Sequence, residues 1–237
     1  MLICNFSGAY KNQDFYDSIN CAWLDMYDIE GTNCYLDDSA RSGIECRLRE
    51  VGAFEKTDIH FVDSGNYHYM SLMFLDELDK KEKDFNLLVF DNHPDMKPAA
   101  FGGITSCGGW ILEAAEKYKH LRQICLIGVD EKLMSELRPL PECISDKLAN
   151  LDGLDKRIPV YISIDKDVMP EPYTYCQWSQ GHTNPESLMK TIRKIADTTA
   201  ILGIDICGES EEIYNEKHQK ANNQTNKKLL EFCLDII

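Results

Sequence analysis

The chain lacks a long hydrophobic run. None of its apolar stretches approaches the roughly 18 residues of a membrane span, so no transmembrane helix and no membrane partner are expected. It is also poor in positive charge. Its 25 Lys and Arg stand against 40 Asp and Glu, for a formal net charge of -15. Nucleic acid is recognised through a basic surface that neutralises phosphate, so nucleic acid is not an expected partner. The one short basic cluster, Lys80-Lys81-Glu82-Lys83, is interrupted by an acid and reads as a solvated helix end. Ten cysteines are present, yet none stands in a C-x-x-C pair. That leaves a cysteine-built zinc site without support. No secretory leader is expected, because Met1-Leu2-Ile3-Cys4-Asn5-Phe6 is a short apolar run with no basic region before it and resembles a first strand. Dispersed cysteines without an export signal fit a reducing cytoplasm, where most serve as small apolar residues. No internal repeat, low-complexity tract or linker divides the chain, and residues 1–237 are expected to form one domain.

What is present is a regular alternation. Short, nearly continuous apolar runs occur at 2–6, 59–62, 87–90, 124–128, 160–164 and 201–206. Runs of that length suit strands covered on both faces. Cys143-Ile144 is a candidate for a further short strand. Helical spacing lies between the runs. Ile44, Leu48 and Val51 lead to Gly52, a natural stop; Leu72, Leu75 and Leu78 mark a second helix; Trp110, Ile111, Ala114, Ala115 and Tyr118 a third. Thr183 or Asn184 caps a helix opened by Pro185, and Leu229, Leu230, Cys233 and Ile237 suggest a closing helix. Strand and helix in alternation predict an α/β fold, a three-layer α/β/α sandwich on a mostly parallel sheet.

In such sheets ligands bind beyond the carboxyl ends of the strands. Three polar segments follow apolar runs there. Asp91-Asn92-His93-Pro94-Asp95 alternates candidate ligands, with Pro94 disfavouring helix at His93; alone, it fits a polar turn with an Asp cap equally well. Asp165-Lys166-Asp167 places two carboxylates after a buried run, where solvated or capping acids are the plain alternative. Ser64-Gly65-Asn66-Tyr67-His68 supplies a histidine that, read alone, is more often a structural hydrogen-bonder. Together the three could crowd carboxylates and imidazoles into one volume, which without cations is costly repulsion.

The order His68, Asp91-x-His93-x-Asp95, Ser163-x-Asp165-x-Asp167 resembles the arginase and ureohydrolase family. Asp205 followed by Glu209 resembles that family's later acidic strand end, and the similarity runs from about Asp58 to Glu209. The resemblance implies the same three-layer fold and two Mn2+ ions. One would be held by His68, Asp91, Asp95 and Asp165, the other by Asp91, His93, Asp165 and Asp167, with Asp91 and Asp165 bridging. It implies hydrolysis of a linear or cyclic C–N bond in a small guanidino, amidine or amide compound. A hydroxide between the two cations would be the nucleophile, and Asp95 would pass the proton to the leaving amine.

Departures from the pattern bear on the substrate. Gly65-Asn66-Tyr67-His68 replaces Gly-Gly-Asp-His. The 101–109 stretch has no histidine where arginases carry a shuttle, and the substrate-binding glutamate is matched only by Glu209, one residue late. His182 is the candidate replacement shuttle, with a surface-loop histidine as the alternative. Ser179, Glu209 and Trp178 are the candidate substrate contacts. Cys107 opens a helix whose dipole would lower its pKa; a small residue packed under the loop is the other reading. Arginine itself is not expected as substrate. Two further readings stay open: a single-zinc deacetylase-like hydrolase, and an inactive metal-binding or regulatory protein of the same fold. The expected partner is a small molecule, and self-association into a homo-oligomer is left open.

Overall fold

In a computed structural model of the protein, which describes residues 1–55, 58–99 and 102–237, the apolar runs become strands of one sheet. In chain order the elements are β1 (Leu2–Asn5), β2 (Ala22–Asp25), β3 (Tyr35–Leu36), α1 (Asp38–Glu50), β4 (Ile59–Phe61), α2 (Ser71–Asp79), β5 (Phe85–Phe90), β6 (Thr105–Ser106), α3 (Trp110–Lys117), β7 (Leu121–Ile127), α4 (Glu131–Ser135), α5 (Glu142–Ser145), β8 (Val160–Asp165), α6 (Pro185–Ala196), β9 (Ile201–Cys207) and α7 (Glu216–Leu234). The main sheet has seven strands in the order β2-β1-β4-β9-β8-β5-β7. Every pairing in it is parallel. β3 and β6 form a separate antiparallel pair.

The near-continuous apolarity of the strands has a direct cause. Successive side chains point to opposite faces, and each face meets helices. Leu87 and Val89 of β5 pack on one side with Ile44 and Leu48 of α1, Leu72 and Leu75 of α2, and Trp110 and Ile111 of α3. Leu88 and Phe90 pack on the other with Leu188, Ile192 and Ile195 of α6 and Leu229, Leu230 and Cys233 of α7. The helix starts follow their caps. Asp37 accepts from the Ala40 amide, and Asn184 accepts from the Glu186 amide with Pro185 directly inside the helix.

Two local expectations change. Cys143-Ile144 lies in α5, not in a strand, because the chain after Pro141 closes a single helical turn with Asp146 donating back to Glu142. β2, half-buried at Ala22, Trp23 and Leu24 and exposed at Asp25, is an edge strand that the sequence reading does not include and that pairs in parallel with β1.

Candidate metal centre

The strand order sets four carboxyl ends side by side: β4, β9, β8 and β5. Beyond β4 the chain turns through Asp63, with φ of 70°, into a 3-10 turn at Gly65–Met70 that carries His68. Beyond β5 come Asp91, His93 and Asp95, and at the end of β8 come Asp165 and Asp167. All six side chains that the sequence nominates as ligands converge on this edge, and all but half-buried His93 are buried.

The geometry is close. His68 Nδ1 lies 3.2 Å from Asp91 Oδ2, 3.2 Å from Asp95 Oδ2 and 3.6 Å from Asp165 Oδ2. His93 Nδ1 lies 2.8 Å from Asp167 Oδ2 and 3.4 Å from Asp91 Oδ1. Candidate donor atoms form compact groups, each within 4.8 Å: His68 with Asp91 and Asp95; Asp91 with His93 and Asp167; and His68 with Asp165 and Cys207. Asp91 is thus shared between the His68 side and the His93 side, one oxygen facing each. Asp165 joins the His68 side through Oδ2, while its Oδ1 accepts the Asp167 amide at 2.9 Å.

The surrounding bonds fix the rings. His68 Nε2 meets Ser163 Oγ at 2.9 Å, and Ser163 Oγ donates to Asp205 Oδ1 at 2.6 Å. With Nε2–H engaged there, Nδ1 presents its lone pair to the carboxylates, as metal-binding imidazoles do. His93 Nε2 meets Ser179 Oγ at 3.0 Å. Trp110 donates to Asp95 Oδ2 at 2.9 Å. Glycine is required twice. A Cβ at Gly65 would stand 2.9 Å from Asp165 Oδ2, and one at Gly208, whose φ is +89°, would stand 2.4 Å from Asp165 Oδ1.

Electrostatics and orphaned atoms test whether cations fit here. Burial, then the charge of Asp167, raises Asp165 to about 6. Burial, then Asp91, raises Asp167 to about 7. Burial, then Asp95, also raises Asp91. For His68 burial acts against the charged ring, but Cys207, Asp91 and Asp95 outweigh it and the pKa rises. His93 rises to about 11: burial opposes its charge, and the bonds to Asp167 and Asp91 prevail. In the absence of cations the cluster therefore holds protons. Yet His68 Nδ1 and Asp91 Oδ2 are buried and have no hydrogen-bond partner, an arrangement that costs free energy unless something else satisfies them. Divalent ions in this oxygen- and nitrogen-rich set would satisfy both.

A cavity of about 220 Å³ opens onto the cluster, with Asp91, Asp95, Asp165 and Asp167 on its floor. Leu133, Leu137 and Trp178 form an apolar wall, with Lys97 and Glu136 also on the lining. Trp178 lines it as expected, its indole held by a 2.9 Å bond to Asn66 Oδ1. Ser179 sits behind His93 and orients that ring, with its backbone oxygen held by Asn92.

One sequence expectation is corrected, at Glu209, and at His182 and Cys107 the plainer of two open readings holds. Glu209 does not line the cavity: it is fully buried, pairs with Lys166, and accepts from Asn226, Gln13 and Asn222. The extra residue before it, Gly208, turns the carboxylate away from the cavity. His182 lies in a separate depression beside Gly128, Val129 and Asp130, and is exposed. Cys107 begins only a three-residue 3-10 turn, and burial, then Asp95, pushes its thiol up to about 12, opposite to an activated thiolate. The 101–109 stretch holds no histidine, though Phe101 lies outside the described residues. The sequence reading passed over Ser163 and Asp205 as the support of His68, Asn66 as the tether of Trp178, and Cys207. The available signal was the period of two: 163 and 165 on β8 pair with 205 and 207 on β9.

Solved structures of the same architecture include formimidoylglutamase from Bacillus subtilis, with a TM-score of 0.66 and 11% identity over 98% of this chain and 85% of that one. Arginase of Entamoeba histolytica matches with a TM-score of 0.63 and 11% identity, covering 96% and 97%. Proclavaminate amidino hydrolase from Streptomyces clavuligerus gives 0.60 and 17%, covering 92% and 77%. The fold is therefore of the arginase/ureohydrolase type. No protein-family model matches the chain. It belongs to one family with an "uncharacterized protein" of Thermotoga maritima, to which it is 32% identical over 219 residues, 92% of this chain and 83% of that protein.

Proposed function

We propose that this protein is a hydrolase of a C–N bond in a small guanidino, amidine or amide compound, working with two divalent cations. The observation that carries the reading is the sharing of Asp91 between two donor groups on the floor of one cavity. His68, Asp95 and Asp165 would hold one cation with Asp91, and His93 and Asp167 the other. Manganese is the metal that the resemblance suggests. When bound, such a pair supplies Lewis-acid activation of water and of the carbon under attack.

The chain's own groups do the rest. Ser163 and Asp205 hold the His68 ring in place from behind, and Ser179 does the same for His93. Asp95 reaches the cavity, and by the resemblance it would carry a proton to the departing amine. Leu133, Leu137 and Trp178 exclude water from the apolar side of a bound molecule and position it over the floor. Glu136 lines the cavity and Glu209 does not, so the polar end of the substrate would meet a different surface from the one expected at Glu209.

The test is a screen of guanidines, amidines and amides for ammonia, urea or amine release by metal-loaded protein, with Asp91→Asn as the control. Turnover that requires both metal and Asp91 supports the reading. Turnover indifferent to Asp91 would overturn it.

A further inference from the structure

Cys207 ends β9, and the parallel register places it directly opposite Asp165. Its Sγ lies 3.2 Å from Asp165 Oδ2, the same oxygen that stands 3.6 Å from His68 Nδ1. The side chain is fully buried. Cys125 and Cys233 are buried too, but within an apolar cluster under the opposite face of the sheet. Cys207 borders the apolar cluster of the other face as well, but its sulfur also meets an imidazole and a carboxylate, and the three donor atoms lie within 4.8 Å of one another.

A second observation points to a ligand at this place. His68 Nδ1 is buried, aimed into the group and without a hydrogen-bond partner, while its other ring nitrogen is engaged by Ser163. The sulfur, the free nitrogen and the Asp165 oxygen enclose one corner.

We propose that Cys207 is a sulfur ligand of the cation on the His68 side, so that this position prefers a borderline-soft divalent ion such as zinc. The His93 side, with Asp91 and Asp167, offers oxygen and nitrogen only and keeps a harder ion such as manganese. Thiolate favours zinc and cobalt over manganese, whereas carboxylate suits manganese. On binding, the S–H bond is exchanged for a sulfur–metal bond and the proton leaves to solvent; nothing is oxidised or reduced. The inference rests on the two-cation reading and adds to it the identity of one ion. It also accounts for a cysteine ligand in a chain without C-x-x-C: a lone sulfur completes a set built mainly of carboxylates.

The experiment is a cobalt(II) titration of the reduced protein, read by near-ultraviolet absorption. Wild-type protein should develop a thiolate-to-cobalt charge-transfer band. Cys207→Ser should lose the band while still binding cobalt on the His93 side, and Cys107→Ser and Cys176→Ser should retain it. Cobalt bound without the band, or a band that survives Cys207→Ser, would overturn the ligand assignment and leave the two-cation reading standing. Failure of cobalt, zinc and manganese alike to bind would overturn that reading itself. X-ray absorption on zinc-loaded wild type does not depend on any variant folding. It should show one sulfur at about 2.3 Å, and a shell of nitrogen and oxygen alone would refute the proposal.

Discussion

His68 Nδ1 and Asp91 Oδ2 face each other across 3.2 Å, both buried, and neither makes a hydrogen bond. Two buried polar atoms left this way destabilise the fold by about 1–3 kcal/mol each. They come from beyond the ends of β4 and β5, which have β9 and β8 between them in the sheet, and one cation shared by the two atoms would relieve both.

Asp91→Asn therefore weakens both cation positions at once. A ligand at a hundred times its Kd stabilises by about 2.7 kcal/mol, and for a chain of this size each kcal/mol moves Tm by roughly 2–4 °C. Wild-type protein should gain roughly 5–10 °C per bound ion, and Asp91→Asn should gain almost nothing at the same metal concentration. Differential scanning calorimetry with and without metal gives the comparison, and an unchanged metal response in the variant would refute the shared role.

Metal-induced stabilisation should grow with pH. Asp165 and Asp167 are raised to about 6 and about 7 from an ordinary 3.8, by burial and then by a neighbouring carboxylate. A carboxyl raised on folding stabilises most below its unfolded value, and that contribution is lost as pH climbs through the folded one. These groups thus favour the metal-free fold at low pH, and cations must displace their protons. The rise in Tm on adding metal should be small near about pH 5 and larger near about pH 8. The opposite slope would show that these carboxyls are not the ones that bind.

The sheet and the six-residue edge cluster are legible in the sequence because both rest on local pattern. Strands buried on two faces must be continuously apolar, and ligands at strand ends follow them immediately, as Asp91 follows Phe90. What the pattern misses depends on pairing across the sheet. Ser163 supports His68 only because β8 and β9 set Asp205 beside it. Glu209 has the spacing of a substrate contact to within one residue, but after Gly208 at φ of +89° it turns to Lys166 and to Asn222 and Asn226 of α7. Spacing alone does not record that turn.

Lys166→Met tests this placement of Glu209. Both partners are fully buried, and removing one leaves an uncompensated charge at a cost of about 3–5 kcal/mol. Lys166→Met combined with Glu209→Gln should be clearly less destabilised than Lys166→Met alone. Urea unfolding midpoints provide the measure. Near-wild-type stability of the single variant would mean that Glu209 is free to serve elsewhere.

Arginine should release little or no urea, since Glu209 is withdrawn from the cavity. On a substrate found by screening, Trp178→Ala should raise KM about tenfold, ~1.4 kcal/mol, with kcat little changed, because the indole forms a wall and touches no reacting group. Steady-state kinetics separates the two constants. A fall in kcat at constant KM would place Trp178 in the chemistry instead.

The central claim is that two cations share Asp91. Elemental analysis of protein incubated with manganese and zinc, then freed of excess metal, measures it most directly. The account predicts a total approaching two divalent ions per chain in wild type and a large loss of both in Asp91→Asn. A ceiling of one ion per chain in wild type would contradict it.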